Sequence, residues 1–132
     1  VIGVIPRAFA HKELAHEGLT HLHLVETMHE RKAMMARLAG AFVALPGGIG
    51  TFEELIEIYT WAQIGVHDKA LGVLDVEGYF EPLFTLLDQA VHEGFLGPGF
   101  RELLVREGDP GALLSALPDV PRGRLSGLWP EL

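Results

Sequence analysis

Cysteine is absent from this sequence, which rules out a disulfide framework, a thiolate metal site and a cysteine nucleophile, and fits an expectation of a cytoplasmic protein. Positive charge is scarce. Ten Lys and Arg face eighteen Asp and Glu, for a net charge of −8, and the cations are scattered with no stripe that could track a phosphate backbone, so nucleic acid is not an expected partner. No apolar run approaches the roughly 18 residues of a membrane span, so no membrane partner is expected either. Initiator methionine and a charged start are also lacking. Val1 to Ile5 therefore reads as a strand in progress, not a signal peptide, and the numbered chain is expected to be the later part of a longer unit. There is no internal repeat and no low-complexity block. What the 132 residues do contain is 48% hydrophobic side chains, enough for one buried core.

Short apolar runs alternate with segments of helical period, the pattern of a parallel sheet covered by helices. The strand candidates are Val1 to Ile5, His21 to Val25, Ala41 to Leu45, Leu71 to Asp75 and Leu103 to Arg106. Thr27-Met-His-Glu30 is a capping box and predicts a helix from Met28 to about Ala39, stopped by Gly40. The same device at Thr51-Phe-Glu-Glu54 predicts a second helix with Leu55, Ile58, Tyr59 and Ala62 on its apolar stripe, closing near Gly65. A third begins around Pro82 and stops at Gly94, and a short fourth starts at Asp109-Pro110. The expected architecture is an α/β, Rossmann-like three-layer domain over residues 1–117 with one mainly parallel sheet. Residues 118–132, rich in Pro and Gly, read as a tail.

The stretch that carries chemistry is Pro46-Gly-Gly-Ile-Gly-Thr51, between a strand and a helix. Unpaired backbone N–H groups and the helix dipole converge at such a turn, and small residues let an anion approach closely. Gly47, Gly48 and Gly50 fit that use, and Thr51 adds a hydroxyl. The spacing matches neither the dinucleotide fingerprint, whose third glycine is replaced by Glu53, nor the Walker loop, whose lysine is missing. The same residues are equally accounted for by a sharp turn in which Thr51 and Glu54 cap each other. Glu53, Glu54 and Glu57 would compete with a bound anion for the helix field, so a cation is expected nearby; Arg31 and Lys32, at the start of the preceding helix, are the candidates, with a surface Glu and Arg pair as the plain alternative.

The two segments Met28-His-Glu-Arg-Lys32 and Pro46 to Glu54 resemble the paired motifs Met-His-x-Arg-Lys and Pro-Gly-Gly-x-Gly-Thr-x-x-Glu of the LOG family. These are cytokinin riboside 5′-monophosphate phosphoribohydrolases, many of them filed earlier as "possible lysine decarboxylase", and the likeness runs from about Val1 to Leu96. The resemblance implies a Rossmann-like homodimer, or a higher homo-oligomer. It also implies hydrolysis of the N-glycosidic bond of AMP or an N6-substituted AMP to free base and ribose 5-phosphate, with no cofactor. It gives Gly48, Gly50 and Thr51 to the phosphate, Arg31 and Glu54 to catalysis, and Lys32 and Glu13 to the nucleotide pocket, with Thr60 a weaker match. Glu13 is the one further carboxyl it supplies. The family's upstream glycine-rich turn and opening strand-helix unit have no counterpart before Val1.

Two rival functions stand beside this one. A pyridoxal phosphate decarboxylase needs a Schiff-base lysine, and the chain has only Lys12, Lys32 and Lys69. A nucleotide carrier of the same fold would bind AMP-like ligands without cleaving them, but has no need of a carboxylate at the sugar. Among the seven histidines, His21 and His23 share a strand face, yet no third ligand stands at a recognisable spacing and no metal site is expected. Met28, Met34 and Met35 read as packing, His29 as solvent-facing, and Trp61 as core.

Overall fold

The computed structural model describes residues 1–10, 16 and 18–119. Its elements in chain order are β1 (Ile2–Pro6), α1 (Arg7–Ala10), β2 (His21–Val25), α2 (Met28–Leu38), β3 (Ala41–Ala44), α3 (Ile49–Gln63), β4 (Ala70–Leu74), α4 (Glu81–His92), α5 (Pro98–Arg101), β5 (Leu104–Glu107) and α6 (Pro110–Ala116). Turns of 3-10 helix follow β4 at Val76–Gly78 and α6 at Leu117–Asp119. The residues of the expected tail beyond 119 lie outside the described ones. The chain forms two compact units, Val1–Ala39 and a second beginning at Gly40.

All three strand ladders are parallel, so the α/β class expected from the alternation holds. The hydrogen bonding makes two sheets where the sequence suggested one: β1 pairs with β2 in the first unit, and β3, β4 and β5 pair in that order in the second. In the first unit α2 lies against β1. Its amino end is built as the capping box predicts, with Glu30 N–H donating to Thr27 Oγ1 at 3.1 Å. The box glutamate reaches one residue further back than the motif requires, its Oε2 accepting from Glu26 N–H at 2.8 Å.

In the second unit the pleat of β4 sends alternate side chains to opposite faces. Leu71 and Val73 pack with Leu55, Tyr59 and Ala62 of α3 and with Phe80 and Phe84 around α4. Ala70 packs with Leu117, and Gly72 lets α6 come close: a Cβ there would stand 2.9 Å from Leu113 Cδ1 and 3.0 Å from Leu117 Cδ2. Helices thus cover both faces of this sheet, which gives three layers. Phe80, Phe84, Leu71 and Val73 are all 2% exposed or less, and each such side chain contributes about 1.5–3 kcal/mol through burial. The expected helix stops are found at Gly65 (φ 79°) and Gly94 (φ 80°), and Asp109 caps α6 by accepting from Ala112 N–H at 2.8 Å.

Candidate active site

The glycine loop leaves the carboxyl end of β3 and runs directly into α3. Here the structure corrects the sequence expectation. α3 begins at Ile49, two residues before Thr51, with Gly48 as N-cap and no side-chain cap bond. Glycine is about as good as threonine at an N-cap, so the helix can start as soon as the turn is complete. Thr51 is therefore inside the first turn and Glu54 deeper still, and the reciprocal cap between them is not formed. Nor do the loop glycines serve a left-handed backbone. Among the described residues the positive-φ glycines are Gly65, Gly78 and Gly94, so Gly47, Gly48 and Gly50 sit in backbone conformations open to any L residue.

What these glycines provide is room. A Cβ on Gly47 would meet Thr51 Oγ1 at 2.2 Å, so this position lets the threonine hydroxyl lie against the loop backbone. A Cβ on Gly48 or Gly50 would meet nothing within 4 Å. The space around them is open, and the first-turn N–H groups of Ile49, Gly50 and Thr51 have no intrahelical partners. Glu54 follows Thr51 by three residues, on the same side of α3 and about 4.5 Å along its axis. It is half-buried, as is Trp61 two turns further along the same line. Thr60 is carried elsewhere. Nine residues, or two and a half turns, past Thr51, it lies on the opposite side of the helix, exposed, with its hydroxyl donating to Ile56 O at 2.7 Å.

In the first unit, Arg31 follows the capped start of α2 and is half-buried, and its Nε donates to the carbonyl of Val4 on β1 at 3.1 Å. That bond fixes the guanidinium relative to the first sheet. Lys32 is half-buried beside it in sequence, and Glu13 lies outside the described residues. His29 is exposed as expected; Met34 is half-buried, whereas Met28 and Met35 are each 37% exposed, more than packing alone would leave.

Sequence reasoning missed the support beneath the loop. The Tyr79 hydroxyl donates to the Gly47 carbonyl from the turn that follows β4. Asp75, 6% exposed at the end of β4, accepts from Phe80 N–H at 2.7 Å and pairs with Arg106 of β5 at 2.5 Å. Arg106 also pairs with Glu81, and these two carboxylates push its pKa upward, the Glu81 hydrogen bond most. The visible signal was Asp75 at a strand end followed by Gly78-Tyr79, but nothing in the chain order ties residue 79 to residue 47.

A second unheralded contact closes α3 at its far end. His67 packs against Phe42 with ring centroids 5.2 Å apart. Its Nδ1 accepts from Lys69 N–H at 3.1 Å, which leaves Nε2 protonated and donating to Ile58 O at 2.9 Å. Burial lowers the His67 pKa below its ordinary value.

A pyridoxal group does not fit the second unit. Its lysine, Lys69, precedes β4 at the amino edge of the parallel sheet, with Nζ 6.0 Å from the Phe42 ring centroid, whereas the glycine loop leaves the carboxyl edge. His21 and His23 are exposed on β2, and among the described residues no three His, Asp or Glu are grouped as metal ligands. No helix of the described residues is long and apolar enough to cross a membrane.

Comparison with known proteins identifies relatives. The family model described as "possible lysine decarboxylase" matches residues 1–117. A probable cytokinin riboside 5′-monophosphate phosphoribohydrolase of Oryza sativa subsp. japonica is 48% identical over 117 residues, 89% of this chain and 48% of the relative. A cytokinin riboside 5′-monophosphate phosphoribohydrolase of Arabidopsis thaliana is 48% identical over 123 residues, 92% of this chain and 58% of its own length. Another from Oryza sativa subsp. japonica is 42% identical over 132 residues, 99% of this chain and 54% of the relative. The chain thus spans about half the length of the curated relatives it matches.

Proposed function

The chain belongs to the possible lysine decarboxylase family, the LOG family, and from that premise we propose that it acts as a phosphoribohydrolase on nucleoside 5′-monophosphates. The substrate is AMP or an N6-substituted AMP; its relatives are named for cytokinin riboside 5′-monophosphate. Water adds across the N-glycosidic bond, its hydroxyl going to the anomeric carbon and its proton to the leaving base, which gives free base and ribose 5-phosphate.

The observation that carries this reading is the glycine loop, whose glycines are in ordinary backbone conformations and whose Gly48 and Gly50 face open space. A loop that needs glycine neither for its φ angles nor for packing at those two positions is suited to close approach by a phosphate, held by the N–H groups that open α3 and by the Thr51 hydroxyl. With the 5′-phosphate there, the ribose falls over the next turn, where Glu54 stands. Breaking the glycosidic bond builds positive charge on the sugar, and a fixed carboxylate stabilises that charge more in the transition state than in the ground state. Glu54 also serves to orient the attacking water. Arg31 and Lys32 enter the reading through the first motif, Arg31 as the catalytic cation and Lys32 as a nucleotide contact.

Two further parts complete the proposal. One is a homodimer or an assembly of dimers, supported by the apolar groove between α3 and α4 lined by Phe52, Ile56, Leu83 and Leu86, with Leu86 66% exposed. Sedimentation showing only monomer at micromolar concentration removes it. The other is a cytoplasmic location, which cell fractionation tests.

The decisive experiment incubates the protein with AMP and with adenosine and measures free adenine by chromatography. Adenine released from AMP far faster than from adenosine is the expected result. Equal rates remove the phosphate-loop assignment, and binding of AMP without cleavage turns the protein into a carrier.

A further inference from the structure

The geometry points to Tyr79 as a positioning residue of the glycine loop, acting through the peptide between Gly47 and Gly48; the inference rests on that loop being the 5′-phosphate site. The Tyr79 hydroxyl donates to the Gly47 carbonyl across 32 residues of sequence. In a trans peptide the carbonyl oxygen of one residue and the N–H of the next point to opposite sides, and the described residues contain no cis peptide. Holding Gly47 O on the phenol therefore holds Gly48 N–H on the other side of the loop. Gly48 is the N-cap of α3, so its N–H is next in line to those of Ile49, Gly50 and Thr51. A peptide between two glycines has more freedom to rotate than any other, and a flip here would present a carbonyl oxygen where an anion needs a donor. Tyr79 suppresses that flip.

The tyrosine stands on a rigid base. Its turn takes left-handed backbone at Glu77 (φ 51°) and Gly78 (φ 76°), and Tyr79 N–H closes it on Val76 O at 3.0 Å. The next residue, Phe80, is 1% exposed, is bonded through its N–H to Asp75, and meets the Tyr79 ring edge-on with centroids 5.1 Å apart. Asp75 is in turn paired with Arg106. Strand β4 and strand β5 thus brace the phenol that braces the loop. Tyr79 itself is 48% exposed, so its hydroxyl can be removed without opening the core.

Tyr79→Phe tests the inference, with Tyr79→Leu as a second variant that also lacks the hydroxyl. Both are expected to fold, and KM for AMP is expected to rise about 3–10-fold, the scale of one hydrogen bond, with kcat within about twofold, because the loop grips the phosphate alike in ground and transition states. Inhibition by inorganic phosphate weakens by the same factor, while the slow turnover of adenosine is unchanged. A tyrosine that serves packing alone would lower the melting temperature and reduce both substrates together. That outcome overturns the inference, and so does a Tyr79→Phe protein with wild-type KM for AMP and wild-type phosphate inhibition. If the wild-type protein neither cleaves AMP nor binds phosphate, the loop assignment falls and this inference with it; if wild type cleaves AMP and the variants are unaltered, the Tyr79 inference falls alone.

Discussion

Replacing Gly50 by alanine separates the two uses a glycine can have. Residue 50 lies in the first turn of α3 without a positive φ, and a Cβ built there meets no atom within 4 Å. The folded chain therefore accepts the methyl group. Alanine also loses less backbone entropy on folding and is the better helix former, so the variant should gain about 0.5–1 kcal/mol. For a chain of this length that corresponds to a melting temperature about 2–4 °C higher. The same methyl group occupies the space through which phosphate oxygens must approach first-turn N–H groups to about 2.9 Å. Losing that seat releases the ribose from Glu54 as well, and kcat/KM for AMP should fall about a hundredfold, or roughly 2.7 kcal/mol of transition-state stabilisation. Gly47→Ala behaves in the opposite sense in stability: its Cβ would stand 2.2 Å from Thr51 Oγ1 and 3.0 Å from Thr51 Cβ, and overpacking of this kind costs about 1–3 kcal/mol. Calorimetry and adenine release, run on the two variants in parallel, give the comparison. A Gly50→Ala protein that melts higher and still cleaves AMP at the wild-type rate shows that no substrate atom enters the space over the loop. One that melts markedly lower shows that the backbone reasoning is wrong.

Three other outcomes are expected. Glu54→Gln keeps the size of the side chain and removes its charge, so folding should survive while AMP turnover drops about a hundredfold or more, read by chromatography; undiminished adenine release removes Glu54 from the mechanism. Asp75→Ala strips the partner from a buried N–H and one of two carboxylates from Arg106 and should cost about 2–3 kcal/mol by urea denaturation, whereas Asp75→Asn, which can still accept from Phe80 N–H, should cost less. Because burial depresses the His67 pKa, the unfolded chain takes up that proton first as pH falls. The stabilisation from neutral His67 is complete above the unfolded imidazole value near ~6.5 and is lost as pH falls through the lower folded value. His67→Gln should flatten that part of the stability-against-pH curve, and an unchanged slope would assign the acid loss to other groups.

The parts of the fold legible in the sequence were those written in local chemistry. Thr27 and Glu30, Asp109 and Pro110, Gly65 and Gly94 each specify a helix end within a few residues, and each does so in the structure. The four-residue helices Arg7–Ala10 and Pro98–Arg101 escaped notice because one turn is too short to show a period. The division of the strands into two sheets was equally invisible, since alternation of strand and helix says that ladders are parallel but not where one ladder ends. Contacts that cross the chain were out of reach for the same reason. Nothing local marks Tyr79 as the partner of Gly47, or Arg106 as the partner of Asp75.

The misplaced cap is the more instructive case, because it bears on function. Thr51 and Glu54 satisfy the spacing of a capping box as well as Thr27 and Glu30 do, and the pattern alone cannot tell the two apart. What differs is the stretch ahead of each threonine. Before Thr27 stands Glu26, which makes a poor N-cap, so the helix waits for the threonine; before Thr51 the chain already offers Gly48, and helical geometry begins there. Starting three residues early moves Thr51 and Glu54 out of the capping positions, and the N-cap Gly48 makes no side-chain cap bond. A helix that caps itself has no need of an anion. One that opens on Gly48-Ile49-Gly50 with room around its glycines keeps first-turn N–H groups available to an anion, and under the proposed function a phosphate takes that seat and Glu54, one turn along, faces the ribose.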